Sequence, residues 1–100
     1  IVGINNSQTE LPNEYSLSQN KPNPFNQSTN IKYQITKNDV NVKITVFDVS
    51  GKEIIVLVDK KHNIRIYEIE FNGSNLPSGI YFYRLSAGNF TKTKKMILIK

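Results

Sequence analysis

Most of the chain consists of short runs in which apolar and polar residues alternate, the pattern of a β-strand with one buried face. In one run, Ile31, Tyr33 and Ile35 alternate with polar side chains, and the runs at residues 42–49 and 65–71 repeat the pattern. Because successive side chains of a strand point to opposite faces, each run predicts one buried and one solvated face. This arrangement is typical of an antiparallel sheet that packs on a second layer.

Turn-forming residues separate seven such runs. The predicted strands span residues 15–19, 29–35, 42–49, 53–58, 65–71, 80–87 and 90–99. No segment keeps an apolar face with helical spacing for three turns, so no helix is predicted. The predicted fold class is therefore all-β, an immunoglobulin-like antiparallel β-sandwich of about seven strands, with an open barrel as the alternative.

Glycine and proline mark the predicted turns. Gly51 follows Ser50, and Gly88 precedes Asn89. Each glycine supplies the positive φ angle that a tight hairpin requires. The two prolines in residues 22–24 cannot donate an amide hydrogen to a sheet, so a rigid loop is predicted between the first two strands. Residues 74–79 (SNLPSG) predict another loop before the sixth strand.

The first 14 residues (IVGINNSQTELPNE) differ from the rest, because a short apolar start is followed by polar residues and a proline. Such a composition cannot bury much surface and is typical of a linker. We expect residues 1–14 to be a linker from an upstream domain and residues 15–100 to be the folded domain. Residue 1 is not Met and no secretory signal pattern follows it, so we expect the chain to be a fragment of a longer protein.

Composition excludes several function classes. A chain of 100 residues forms one small domain and is too short for a large multi-step enzyme. No apolar run approaches the roughly 18 residues of a spanning helix, so membrane insertion is not predicted. The absence of cysteine removes disulfides, thiolate metal sites and thiol catalysis.

The ionisable residues predict neither a catalytic nor a metal site. His62 is the one histidine, its neighbours are polar and no ligand spacing surrounds it, so an exposed loop histidine is predicted. Glu68 and Glu70 share one face of a strand at a separation of about 6.5 Å. Because they alternate with apolar residues, a solvated stripe is favoured over a catalytic carboxylate pair. No nucleophile elbow or glycine-rich phosphate loop occurs, so we predict no enzyme activity, no cofactor and no metal.

A net charge of +5 and a basic last strand raise two binding alternatives. Lys92, Lys94 and Lys95 lie in that strand without an acidic neighbour, but lysines commonly protect an edge strand, and the aromatic pattern of an RNA-recognition strand is missing. Nucleic acid is therefore not a predicted partner. Exposed rings at Tyr81 or Tyr83 would suit a sugar-stacking role, although their alternation favours burial in the core.

Three blocks of the sequence carry a resemblance to a known family. They are LSQNKPNPFNQSTNIKYQI at residues 17–35, VKITVFDVSGKEI at residues 42–54 and SNLPSGIYFYRLSAGNFTKTKKMILIK at residues 74–100. In this order they closely resemble the type A C-terminal sorting domain of the Por, or type IX, secretion system. The family usually has an aromatic residue at the position of Lys21 and often a proline at that of Gln27, which are mild departures.

The resemblance implies a seven-stranded immunoglobulin-like sandwich at the end of a larger cargo protein. In this family the cargo enters the periplasm by a separate signal and crosses the outer membrane because the translocon recognises the domain. A sortase-like peptidase then commonly cuts upstream, and the cargo is released or attached to surface lipopolysaccharide. The implied partners are the translocon, the peptidase and the upstream cargo domain, and the implied location is secreted or at the cell surface. The polar residues 5–14 suit an accessible cleavage linker.

The resemblance also carries two sets of residues onto this sequence. The candidates for translocon recognition are Gly79, Tyr81, Lys94, Lys95 and Lys100. For each a structural role is the alternative: a turn dihedral, packing or edge protection. The family motif residues with a mainly structural expectation are Pro22, Asn23, Pro24, Phe25, Asn26 and Gly51, with the prolines fixing the loop and Phe25 plugging one end of the core.

A second function from a different class stays open at this point. An accessory β-sandwich would bind carbohydrate or brace a neighbouring enzyme, and a similar fold occurs in the immunoglobulin-like domain of the flagellar hook-capping protein. A sorting domain lies at the extreme C-terminus with its basic last strand free, which this chain shows if Lys100 is the natural end. An accessory module should instead present an aromatic platform.

Overall fold

Seven antiparallel strands form in the computed structural model, which describes residues 14–100. They are β1 (Ser16–Leu17), β2 (Ser28–Ile35), β3 (Val40–Phe47), β4 (Glu53–His62), β5 (Arg65–Asn72), β6 (Gly79–Ala87) and β7 (Phe90–Leu98). One sheet has the order β1-β2-β5 and the other the order β4-β3-β6-β7. The two separate sheets rule out the barrel, and the immunoglobulin-like sandwich is confirmed. Apart from Glu14, the expected linker at residues 1–14 lies outside the described residues.

Inward-facing side chains of both sheets form the core, as the alternation predicts. The buried set includes Ile31, Tyr33, Ile35, Val42, Ile44, Val46, Tyr83, Leu85, Met96 and Leu98, each at most 1% exposed. On the opposite face of β5, Glu68 and Glu70 are exposed, which confirms the solvated stripe. Within the described residues, no helix has the length and apolar character needed to cross a membrane.

Two predicted hairpins are confirmed and are held by local chemistry. The turn between β3 and β4 forms around Asp48, whose Oδ1 accepts hydrogen bonds from the hydroxyl and backbone N–H of Ser50 and from the N–H of Lys52. These bonds, first of all the one from the Ser50 hydroxyl, lower the pKa of Asp48. Gly51 in this turn has a φ of 87°, and Gly88 in the two-residue turn between β6 and β7 has a φ of 59°.

His62 is a buried strand residue, so the prediction of an exposed loop histidine was wrong. Strand β4 continues four residues beyond its predicted end and pairs His62 with Val40. The imidazole is 5% exposed, and its Nε2 lies 2.8 Å from the Tyr33 hydroxyl of the opposite sheet. The ring of Tyr67 packs at 4.3 Å between centroids. The polar residues before His62 suggested a turn, but they lie on an edge strand, where polar side chains reach solvent.

The bond between Tyr33 and His62 predicts non-additive substitutions. Either Tyr33→Phe or His62→Phe leaves one buried polar group without its partner, and we expect each to lower the free energy of unfolding by about 1–3 kcal/mol. The double variant removes both polar groups and should cost about 1 kcal/mol less than the sum. Urea unfolding of the four proteins measures this coupling. Additive losses would show that the two side chains do not interact.

Candidate recognition surface

Gly79 and Tyr81 open β6 at the end of the sandwich where β7 finishes. Gly79 pairs with Leu98, and Tyr81 pairs with Met96. The Tyr81 side chain points inward and is 5% exposed, and its hydroxyl donates a hydrogen bond of 2.6 Å to the carbonyl of Pro77. This bond fixes the loop that precedes β6. Most of the Tyr81 ring is therefore inaccessible to a partner.

The backbone angle at Gly79 explains the residue type there. Its φ is 156°, and a Cβ added at this position would meet no heavy atom within 4 Å. Space is thus available, and only the conformation disfavours a side chain. Two of the three candidate lysines lie in β7, and the third follows that strand.

Lys94 and Lys95 lie on β7, an edge strand of the four-stranded sheet. Lys95 is exposed, whereas Lys94 is half-buried on the inner side, where it pairs with Tyr83. Lys100 follows β7 and folds back on the loop before β6. Its N–H donates to Ser78 Oγ at 3.0 Å, and its ammonium donates to the carbonyl of Ser74. The structure therefore brings Lys100 next to Gly79 and places the other two lysines along the strand.

The family motif at residues 22–26 covers the last part of the β7 edge. Phe25 lies beside β7 in parallel orientation, donating its N–H to the carbonyl of Ile97 and accepting the N–H of Ile99, both at 2.9 Å. Asn23 Oδ1 accepts the N–H of Ile97, and the Asn26 amide donates to the carbonyl of Ile99. The motif thus satisfies the edge groups of Ile97 and Ile99, at the end of the strand that carries the lysines.

The side chain of Phe25 anchors this loop in the core. It is 2% exposed and packs edge to face on Phe71, with 6.1 Å between ring centroids. Gly73 allows the close approach, because a Cβ there would lie 3.2 Å from both the Phe25 ring and the Leu98 side chain. Phe25 thus joins the two sheets at one end of the sandwich.

Sequence reasoning missed Asn20, a buried polar residue of the same loop. Asn20 is 1% exposed, and its amide nitrogen donates to Thr29 Oγ1 at 3.0 Å and to the carbonyl of Pro22 at 3.1 Å. Gln19 donates to Asn20 Oδ1 and to the carbonyl of Lys95. The available signal was a run of amide side chains before the prolines, where a loop needs polar partners.

The tyrosines considered for sugar stacking are unavailable for that role. Tyr83 is fully buried and Tyr81 almost so, which confirms the core interpretation of their alternation. The outer face instead carries Phe47, Phe82 and Arg84, and the Arg84 guanidinium lies 4.6 Å from the centroid of the Phe47 ring. Sequence reasoning did not single out this cluster, although the same alternation places it outside. Within residues 14–100 no group of three or more potential metal ligands occurs.

The comparison with protein families decides the identity. A family model described as "Secretion system C-terminal sorting domain" matches residues 22–100, which include both the motif loop and β7. This chain belongs to that family. The domain is thus a C-terminal signal of the type IX, or Por, secretion system, and it marks its protein as secreted or displayed at the cell surface.

A solved structure shows a similar fold. The chain is similar to part of the crystal structure of dimeric latent PorU from Porphyromonas gingivalis, with a TM-score of 0.67 and 19% sequence identity. The similarity covers 86% of this chain but only 9% of the PorU chain. No curated protein matches the sequence. At this identity the likeness supports the sandwich fold of the sorting domain.

Proposed function

We propose that residues 15–100 direct an upstream cargo domain from the periplasm across the outer membrane, as a recognition module without catalytic chemistry. The observation that carries this proposal is the display of β7. The strand bears lysines on an accessible edge, and the motif loop at residues 22–26 holds its far end in place. The translocon would read Lys94, Lys95 and Lys100, while Gly79 and Tyr81 shape the adjoining end of β6.

A sortase-like peptidase then separates the domain from its cargo in this proposal. The polar residues 5–14 precede β1 and are the expected place for the cut, because a protease needs an accessible segment. The released cargo stays at the surface or enters the medium. The proposed partners are therefore the translocon, the peptidase and the cargo domain of the same protein.

A secretion assay tests the lysines. The 100-residue chain is fused behind a signal peptide and a fluorescent reporter, in a host with an active type IX system. We expect the reporter outside the cell with the unchanged chain. It should stay in the periplasm when Lys94, Lys95 and Lys100 are replaced by Gln, because the cationic groups are lost while the buried residues of β7 remain. Deleting residues 91–100 should also cause retention, but that change removes the buried Met96 and Leu98 as well.

A matched control separates recognition from net charge. Replacing the exposed Lys37, Lys43 and Lys60 by Gln lowers the net charge from +5 to +2, as the test variant does, and should leave secretion unchanged. Circular dichroism must show both variants folded. Normal secretion of the test variant would exclude these lysines, and retention of the unchanged chain would refute the sorting role of this chain. The intact mass of the secreted reporter should place the cut within residues 5–14.

A further inference from the structure

The edge of β7 is closed along only half of its length. From the carbonyl of Lys95 to Ile99, its outward backbone groups are hydrogen-bonded to Gln19, Asn23, Phe25 and Asn26. From Phe90 to Lys94 no strand of the described residues pairs with this edge, since β7 ends the order of its sheet. One half of the β7 edge is thus covered by hydrogen-bonded groups, and the other half is open.

The hydrogen-bond register identifies the groups on the open half. Ile97 and Ile99 direct their N–H groups away from β6 and toward the motif loop. Antiparallel strands alternate residues that bond to the neighbour with residues that point away from it, and β6 pairs with β7 without a register shift. Thr91 and Thr93 therefore present both N–H and C=O at the open edge, and Lys95 presents its N–H.

The charged side chains of β7 itself all have one sign. Lys92 and Lys95 are exposed, Lys94 is half-buried, and no acidic residue occurs between Gly88 and Lys100. Lys92 and Lys94 share the inner side, whereas Lys95 lies on the outer side. A strand added here would meet two lysines, two residues apart, on one of its faces.

The other edges of the sandwich are less suited to adding a strand. Strand β1 has two residues, and the pairing of β4 with β3 contains two register shifts, which interrupt a ladder. Strand β5 is regular but carries charges of both signs, with Arg65, Glu68 and Glu70 exposed. A second copy of β7 would bring lysines against lysines, which is destabilising.

We propose that the edge of β7 from Thr91 to Lys95 binds an extended acidic segment of a partner protein, which adds to the sheet as the next strand and places acidic side chains opposite Lys92 and Lys94. Backbone hydrogen bonds supply the docking, and the lysines select acidic residues at alternate positions. The inference rests on the proposed function, with which it shares Lys94 and Lys95. It adds the chemistry of the partner and the way in which that partner binds.

Binding of synthetic peptides to the 100-residue chain tests the inference. The probe is an acetylated peptide of about seven residues with alternating Glu and Thr, the length of a typical strand. One control peptide has Lys in place of Glu, and another carries N-methyl groups on alternate amides, which blocks strand addition without changing the charge. Amide chemical shifts of the labelled chain locate the site, and fluorescence anisotropy gives the affinity.

We expect the acidic peptide to shift the amide signals of Thr91, Thr93 and Lys95 and the lysine peptide to bind about tenfold more weakly. Thr93→Pro removes an outward N–H without removing a bond to β6, and should weaken binding about tenfold. Thr93→Ala keeps that N–H and serves as the matched control, with little loss expected. Replacing Lys92 and Lys94 by Glu should reverse the preference between the two peptides while circular dichroism stays unchanged.

Three results would overturn the inference. They are equal binding of the N-methylated peptide, which indicates general attraction of polyanions, shifts that map to β4 or β5, and no binding of the acidic peptide. The secretion assay can give a negative result independently of these binding experiments. If the peptide binds as expected but the variant lacking Lys94, Lys95 and Lys100 is secreted, strand addition is supported and recognition of those lysines by the translocon is refuted. If that variant is retained but no peptide binds, the role of the lysines in secretion is supported and strand addition is refuted.

Discussion

Phe25→Ala is expected to lower the free energy of unfolding by about 3–5 kcal/mol, the usual cost of removing a buried aromatic ring. The ring is 2% exposed and fills the space between Phe71, Gly73 and Leu98. Its loss leaves a cavity at the place where the two sheets meet. It also loosens the loop that bonds to β7, so the loss should lie toward the upper end of this range. Urea unfolding with a constant m-value measures it.

The matched control is Phe82→Ala. This ring lies half-exposed on the outer face of the four-stranded sheet, so its removal creates no internal cavity, and about 1 kcal/mol is expected. Losses of equal size in the two variants would mean that Phe25 does not anchor the core. A second readout is the exchange of the Ile99 amide, whose bond to the Phe25 carbonyl should open more readily in the Phe25 variant.

The second large effect is a loss of stability at alkaline pH. Burial raises the pKa of Tyr33 to about 12, with a further contribution from the nearby Tyr67, and burial raises the pKa of Tyr83 to about 12 as well. A pKa that is higher in the folded state stabilises the fold fully below the unfolded value of about 10. That contribution disappears as the pH rises to 12. We expect a loss of about 2 kcal/mol for each tyrosine over this interval.

Unfolding in urea at a series of pH values above about 9 measures this slope. The informative quantity is the difference in this pH dependence between the unchanged chain and single variants. Tyr83→Phe leaves the carbonyl of Ser18 without the hydroxyl that bonds to it at 2.6 Å, which lowers stability at neutral pH. The total loss of stability between about pH 10 and 12 should nevertheless be smaller by about 2 kcal/mol in this variant. An unchanged slope in both the Tyr33 and Tyr83 variants would refute the assignment.

The strand pattern and the family were predictable because both depend on local sequence. The alternation predicted the inward-facing residues of β2 and β3, and the glycines predicted the positions of the hairpins, because each signal lies within one element. The boundaries failed where an edge strand is polar, as at the end of β4. There a polar run has the same appearance in a strand that faces solvent as in a turn.

The contacts that build the candidate site were not predictable from one sequence. Phe25 and Ile97 are 72 positions apart and Tyr33 and His62 are 29 apart, and periodicity gives the face of a strand but not its partner across the sandwich. The inward direction of His62 was not predictable either, because residues 54–58 of β4 are all apolar and the pairing of β4 with β3 contains two register shifts. Only the structure showed that the motif loop covers part of the β7 edge.

The bonds between the motif loop and β7 also have a consequence for biosynthesis. The loop is translated early, yet its partners at residues 95–99 leave the ribosome after all the other strands. Until then the backbone of Phe25 lacks its partners Ile97 and Ile99, so this end of the sandwich cannot close. Contacts of such long sequence separation also make folding slow. Closure of this end of the sandwich therefore requires that translation has passed the last strand.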